Sequence, residues 1–179
     1  MRYWLCLLLL LPLLSHASPQ TIDWLDLLPE EDLEAILNMP EIVHNEADYA
    51  EDDDASGTFE QSLRQRDPTM PEVMYSTRVV EKMDGIEARL AGFPVPLETN
   101  ERGHYTSFFL VPYAGACIHV PPPPPNQIVL VDYPKGLPIE DIYTPFWVTG
   151  SLHVDQTSNE LADASYRIEA SSVRVYDGD

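Results

Sequence analysis

Apolar residues change their spacing twice along this chain, and each change marks a different kind of element. From Trp4 to Leu14 they form a near-continuous run, broken only by Cys6 and Pro12. Around Leu33, Ile36 and Leu37 they recur at helical spacing, after Pro29-Glu30-Glu31-Asp32 and before Pro40. A proline at the first helical position and acids in the first turn suit a helix start, because the acids face the positive end of the helix dipole. A short amphipathic helix over residues 29–38 is expected, with Trp24, Leu25 and Leu28 just ahead of it. From Pro71 onward the spacing becomes that of strands separated by Gly, Pro, Asn and Asp turns. The pattern predicts strands at Val73–Val80, Ile86–Val95, His104–Val111, Ile128–Val131, Phe146–Val154 and Tyr166–Tyr176, with a turn at Asp84-Gly85.

Short strands of this kind suggest a barrel or sandwich. Gly92 and Gly150 interrupt apolar runs, and glycines so placed often mark the bends that let a small barrel close. The fold class expected is mainly β: a small OB-like Greek-key β-barrel with a short helical, acidic N-terminal extension. The chain divides into a signal peptide (1–17), an acidic extension with short helices and a solvated linker (18–70), and the barrel domain (71–179). Within the extension, Glu46 to Asp54 is dominated by acids. It lacks the alternating ligands and central glycine of a calcium loop. A second short helix is expected near Thr58 to Gln65.

Composition changes this picture in two ways. Arg2, the Trp4–Leu14 run and Ser15-His16-Ala17 follow the charged, apolar, small-residue order of a secretory signal cleaved before Ser18. The apolar run is too short to cross a bilayer, which takes roughly 20 residues, so the expected location is the periplasm, with no transmembrane segment in the mature chain. Removing residues 1–17 leaves nine basic against thirty acidic residues, a formal charge of −21, and Cys117 as the only cysteine. Such a charge argues against nucleic acid, which calls for a basic footprint, and against anionic lipid. One cysteine permits no intramolecular disulfide.

The most unusual stretch runs from Phe109 to Val131, F-L-V-P-Y-A-G-A-C-I-H-V-P-P-P-P-P-N-Q-I-V-L-V. With L-A-G-F-P-V-P-L-E at Leu90–Glu98, F-W-V-T-G-S-L at Phe146–Leu152 and N-E-L-A-D-A-S-Y-R-I at Asn159–Ile168, it resembles a family of exported bacterial proteins catalogued as domain of unknown function 3299. The resemblance covers roughly residues 71 to 176. It implies no established activity; relatives found beside transporter genes switched on by zinc shortage supply a context and not a chemistry.

Cys117 and His119 stand two apart, so on a strand both side chains share a face. Thiolate and imidazole suit zinc or copper. A metal site would need further ligands, for which His104, His153, Glu98 and Asp132 are available. A Cys packed as a small apolar side chain beside a hydrogen-bonded His is the favoured reading of the pair. A cysteine-dependent enzyme would need a base aimed at the sulfur and a third group to orient it; the sequence offers no such third group, and no enzyme activity is expected. Pro121, Pro122, Pro123, Pro124 and Pro125 impose polyproline II geometry, a rod of roughly 15 Å. The favoured reading is a stiff connector packed on Tyr113, Tyr133 or Trp147; alternatively, with Asn126, Gln127, Tyr113 and Trp147 it forms a surface that could dock an envelope protein, such as a transporter component. The functions expected are therefore an exported accessory or binding protein or, alternatively, a zinc-handling one.

Overall fold

A computed structural model describes residues 18–39, 70–116, 122–159 and 161–178. The expected signal peptide, acidic linker and second helix, together with Cys117, His119 and Pro121, lie outside the described residues. The elements in chain order are β1 (Gln20–Thr21), a 3-10 turn at Trp24–Leu27, α1 (Glu30–Leu37), 3-10 turns at Glu72–Tyr75 and Glu81–Met83, β2 (Ile86–Thr99), β3 (Tyr105–Val111), a 3-10 turn at Pro125–Gln127, β4 (Val129–Leu137), β5 (Phe146–Ser158) and β6 (Asp163–Val175).

The sheet runs β1-β2-β3-β4-β6-β5, and β2 pairs again with β5. Five strands thus close on themselves, β4 and β6 parallel and the other ladders antiparallel. This order, with a parallel pair joining the two antiparallel parts, is the mixed barrel of the OB type, as expected from the sequence.

Closure depends on β2 serving two partners. Its first half, Ile86 to Gly92, pairs with β5; its second half, Phe93 to Thr99, pairs with β3. The change falls at Gly92. A Cβ there would lie 2.7 Å from the Leu110 side chain and 2.8 Å from the Val111 carbonyl oxygen. Gly150 on β5 is tighter still, with a Cβ position 2.1 Å from the Glu169 carbonyl oxygen beside a register shift in the β5–β6 ladder. Both glycines sit where neighbouring backbone comes too close for any side chain.

Strand alternation sends one set of residues inward. Ala88, Leu90, Phe108, Leu110, Val129, Val131, Val148, Leu152, Tyr166 and Ile168 fill the barrel. Ile22 and Leu27 of the N-terminal segment belong to the same core, and Trp24 packs against it. The composition boundary at residue 70 therefore does not divide the core. The opposite parity on β2–β4 builds a second, outer cluster from Phe109, Val111, Ile128 and Leu130, with Phe93, Val95 and Leu97 against it.

The expected strand Val73–Val80 is replaced by a 3-10 turn and unpaired extended chain. The β2–β5 pairing closes the barrel, and the edge that β3 and β5 leave open on the first half of β2 is taken by β1, at Ala88 and Arg89, not by that segment. Its backbone is held by side chains instead: Asn126 Nδ2 donates to the Arg78 carbonyl at 2.9 Å, and Val80 N–H donates to the Tyr166 hydroxyl at 2.7 Å. The helix over 29–38 forms as Glu30–Leu37. The last three expected strands form and are longer than the apolar runs that signalled them.

Gly150→Ala should destabilise the barrel by about 1–3 kcal/mol, the usual cost of overpacking a filled core. A lowered urea midpoint with an unchanged slope would bear this out; an unchanged midpoint would show that β6 yields without cost.

Candidate functional site

α1 carries an inversion of the usual amphipathic plan. Its Asp32 is fully buried at 0 % exposure, while Leu33 and Ile36 are half-buried and Leu37 is 70 % exposed. A buried carboxylate is tolerated only when its oxygens are supplied with donors. Ser76 Oγ donates to Asp32 Oδ2 at 2.6 Å, Asn126 Nδ2 donates to the same oxygen at 2.8 Å, and Arg78 Nη2 pairs with Oδ1. Arg78 also reaches the exposed Glu31 at 3.0 Å. The hydrogen bond and the charge of Asp32 raise the Arg78 pKa above its ordinary value, which keeps the guanidinium charged.

The same N-terminal segment is tied down at three more points. Trp24 Nε1 donates to the Ala91 carbonyl at 2.7 Å, Gln127 Nε2 to the Trp24 carbonyl at 2.8 Å, and the Tyr166 hydroxyl to the Leu27 carbonyl at 2.9 Å. Asp23 starts the 3-10 turn with a capping box, its side chain accepting from Leu25 N–H while Asp26 accepts from the Asp23 backbone N–H. Burial is the main reason the Tyr166 hydroxyl holds its proton above the usual tyrosine range, helped by the charge of Glu81 and opposed by the Val80 N–H bond.

Chemically, this cluster is a clasp. Ser76 Oγ donates to Asp32 and accepts from the Arg78 backbone N–H at 3.3 Å. A nucleophilic serine would need a base to take its proton and a path to substrate; here the proton goes to a carboxylate already saturated with donors. One buried acceptor, Asn126 Oδ1, makes no hydrogen bond among the described residues.

The residues named from sequence fall into separate places. His104 lies in the turn joining β2 to β3, its backbone N–H bonded to Asn100 Oδ1. His153 lies one residue beyond the Ile86–Leu152 pair, 3.6 Å from Asp84. The two histidines therefore flank opposite ends of β2 and cannot share a metal ion. Asp132 pairs with Arg167 at 3.0 Å, and Glu98 is exposed beside a bulge in the β2–β3 ladder. No group of three or more His, Cys, Asp or Glu suited to a metal ion occurs among the described residues.

The described residues of the proline run and its expected docking surface are largely packed against the protein. Pro123 and Pro124 are buried, Pro122 and Pro125 half-buried, and Asn126 and Gln127 point into the protein to hold Asp32 and Trp24. Pro124 keeps polyproline II angles, φ −60° and ψ 153°, before the chain tightens into the 3-10 turn. Trp147 is nearly buried, with the Arg89 guanidinium 3.9 Å above its ring and Tyr176 at 5.1 Å. Tyr113 packs against the outer apolar cluster. Along β3 and β4 that cluster occupies the barrel face by which OB folds commonly take oligonucleotides or oligosaccharides, and Ala116, Leu161 and Ala162 complete it. Sequence reasoning missed Asp32, Ser76, Arg78 and Tyr166. The one available signal was the pair Asn126-Gln127, two amides lodged between a proline rod and a strongly apolar strand.

The fold defines an OB-type barrel closed by an N-terminal clasp. The chain belongs to the DUF3299 family, proteins of unknown function, whose family model matches residues 24–175. A crystal structure of a DUF3299 family protein from Pseudomonas aeruginosa is similar, with 38% identity, 91% of this chain and 99% of that chain covered, and a TM-score of 0.66. A small single-stranded DNA-binding protein from Streptomyces coelicolor aligns at 12% identity over 52% of this chain and 95% of that one, with a TM-score of 0.28; the OB-type assignment rests on strand order alone. No curated protein matches the sequence.

Asp32→Ala should cost about 2–3 kcal/mol, because it strands the Ser76 and Asn126 donors, while Glu31→Ala should leave the urea midpoint unchanged. Equal midpoints for the two variants would mean that Asp32 contributes nothing to the clasp. Tyr166 adds a pH signature. An unfolded tyrosine ionises near pH 10 and the folded Tyr166 only above it, so its contribution is complete below about pH 10 and is lost as pH rises towards the higher folded value. Tyr166→Phe should be less stable than the parent at neutral pH, and the gap between them should narrow as the solution is taken above pH 10; a constant gap in urea melts would refute the assignment.

Proposed function

We propose that this protein is an exported, non-enzymatic binding or accessory protein of the bacterial envelope that works against another envelope protein, with a component of a metal transport system as the partner class. The single observation that carries the reading is where the polar chemistry goes. The side chains with chemical potential, Asp32, Ser76, Arg78, Asn126 and Tyr166, are spent on fixing the N-terminal segment to the barrel. That use of the polar side chains among the described residues supports a role through contact surface rather than through a reactive centre. The formal charge of −20 on the whole chain turns that surface away from nucleic acid and towards cationic partners.

Zinc handling through Cys117 and His119 is the second reading, favoured by their spacing and by the acidic charge. Either His104 or His153 could join such a set, but not both.

Both readings are tested together by fractionating cells that make the untagged protein, cross-linking intact cells, and measuring zinc in the purified chain by elemental mass spectrometry. The expected outcome is a periplasmic protein, in a discrete cross-linked complex with one envelope protein, carrying well under one zinc per chain. A cytoplasmic protein would defeat the first reading. Stoichiometric zinc that disappears in Cys117→Ser would move the function to metal handling.

A further inference from the structure

The inverted helix leaves apolar surface beside the clasp. A shallow groove runs between the N-terminal segment and the chain ahead of β2, lined by Leu25, Leu28, Leu33, Val79 and Val80. Leu25 is 51 % exposed and Leu37, one helical turn beyond Leu33, is 70 % exposed. Two leucines on one short stretch, Leu25 and Leu37, are thus withheld from the core and Leu33 is only half-buried, while an acid is buried in their stead. Had α1 docked by its apolar stripe, as its spacing suggests, Leu33 and Leu37 would be covered and Asp32 would face water.

The rim decides what fits. Asp26 and Glu30 border the groove together with a single cation, Lys82, and Glu34 stands exposed one turn after Glu30. A second copy of this chain would bring the same acids and another −20 charges against them, and an anionic membrane would be repelled in the same way. A segment carrying apolar side chains for the floor and Lys or Arg for the rim matches both surfaces.

We infer that the groove formed by Leu25, Leu28, Leu33, Val79 and Val80, extended by Leu37, is the docking site for an apolar and basic segment of a partner protein. This rests on the binding-protein reading above and assigns its contact surface. Docking there meets a preformed floor, since the clasp fixes both walls: Asp32 holds α1 to Arg78, and Tyr166 holds Leu27 and Val80 from beneath.

The test uses the mature chain with 13C-labelled Leu and Val methyl groups and three synthetic peptides: an amphipathic one of Leu and Lys, its Leu and Glu counterpart, and one of Lys alone. The Leu/Lys peptide should shift the methyl signals of Leu25, Leu33, Leu37, Val79 and Val80 and leave Val175, exposed elsewhere, unmoved. Leu25→Ser combined with Leu37→Ser removes only exposed side chains and should weaken binding by roughly tenfold or more, while Tyr143→Ser should not. The Lys peptide, drawn by charge alone, should leave the groove methyls in place. Undisturbed groove methyls, equal binding of the Leu/Glu peptide, or an unweakened double variant would overturn the assignment. If cross-linking still finds an envelope partner in that event, the groove assignment fails and the binding-protein reading stands.

Discussion

A carboxylate taken out of water must be given its hydrogen bonds by the protein, and in this chain the gift comes from segments far apart in sequence. Asp32 lies on α1, Ser76 and Arg78 on the stretch before β2, and Asn126 on the turn that follows the proline run. One side chain thereby sets the position of three pieces of backbone, none of which is held in place by a strand ladder. Removing the acid would leave the barrel ladders and the ties at Trp24 and Leu27 intact and take from α1 its bonds to Ser76, Arg78 and Asn126. The bond network explains why the helix turns its acid inward and its leucines outward. The net worth of such a buried pair is often small, because desolvation offsets attraction; what it provides here is a unique placement.

The barrel was legible because its signals are local. Alternation along Ile86–Val95 and Phe146–Val154, the doubly buried run Phe108–Val111, and the interrupting glycines Gly92 and Gly150 all reflect constraints that act within a strand or between neighbours. The clasp was illegible because its signals are not. Asp32 reads as one of three acids complementing a helix dipole, and nothing in its immediate sequence distinguishes the buried one from Glu30 and Glu31. The failed strand at Val73–Val80 has the same origin. Its alternation is real, but whether a strand forms depends on a free edge elsewhere, and the one that β3 and β5 leave on β2 is occupied by β1. The proline run was legible as a stiff connector, but its orientation was not, since that follows from what Asn126 and Gln127 grasp.

Two cores share the β3–β4 wall. Because consecutive residues of β3 alternate between them, Phe108 and Leu110 fill the barrel while Phe109 and Val111 fill the outer layer. Ala116, Ala162 and Ala164 join the outer layer, so segments that follow β3 and β5 pack on that wall.

Leu27 and Tyr166, joined by one hydrogen bond, are separated by 139 positions in the chain. A ribosome makes the first long before the second, and β6 is the last strand to appear. The N-terminal segment therefore waits, with Leu27 and Ile22 uncovered, until almost the whole chain exists. Contacts of such sequence separation are slow to form, and exposed apolar chain is a hazard in the interval. The remainder of that early stretch carries Glu30, Glu31, Asp32 and Glu34, and like charges on two unfinished copies repel each other.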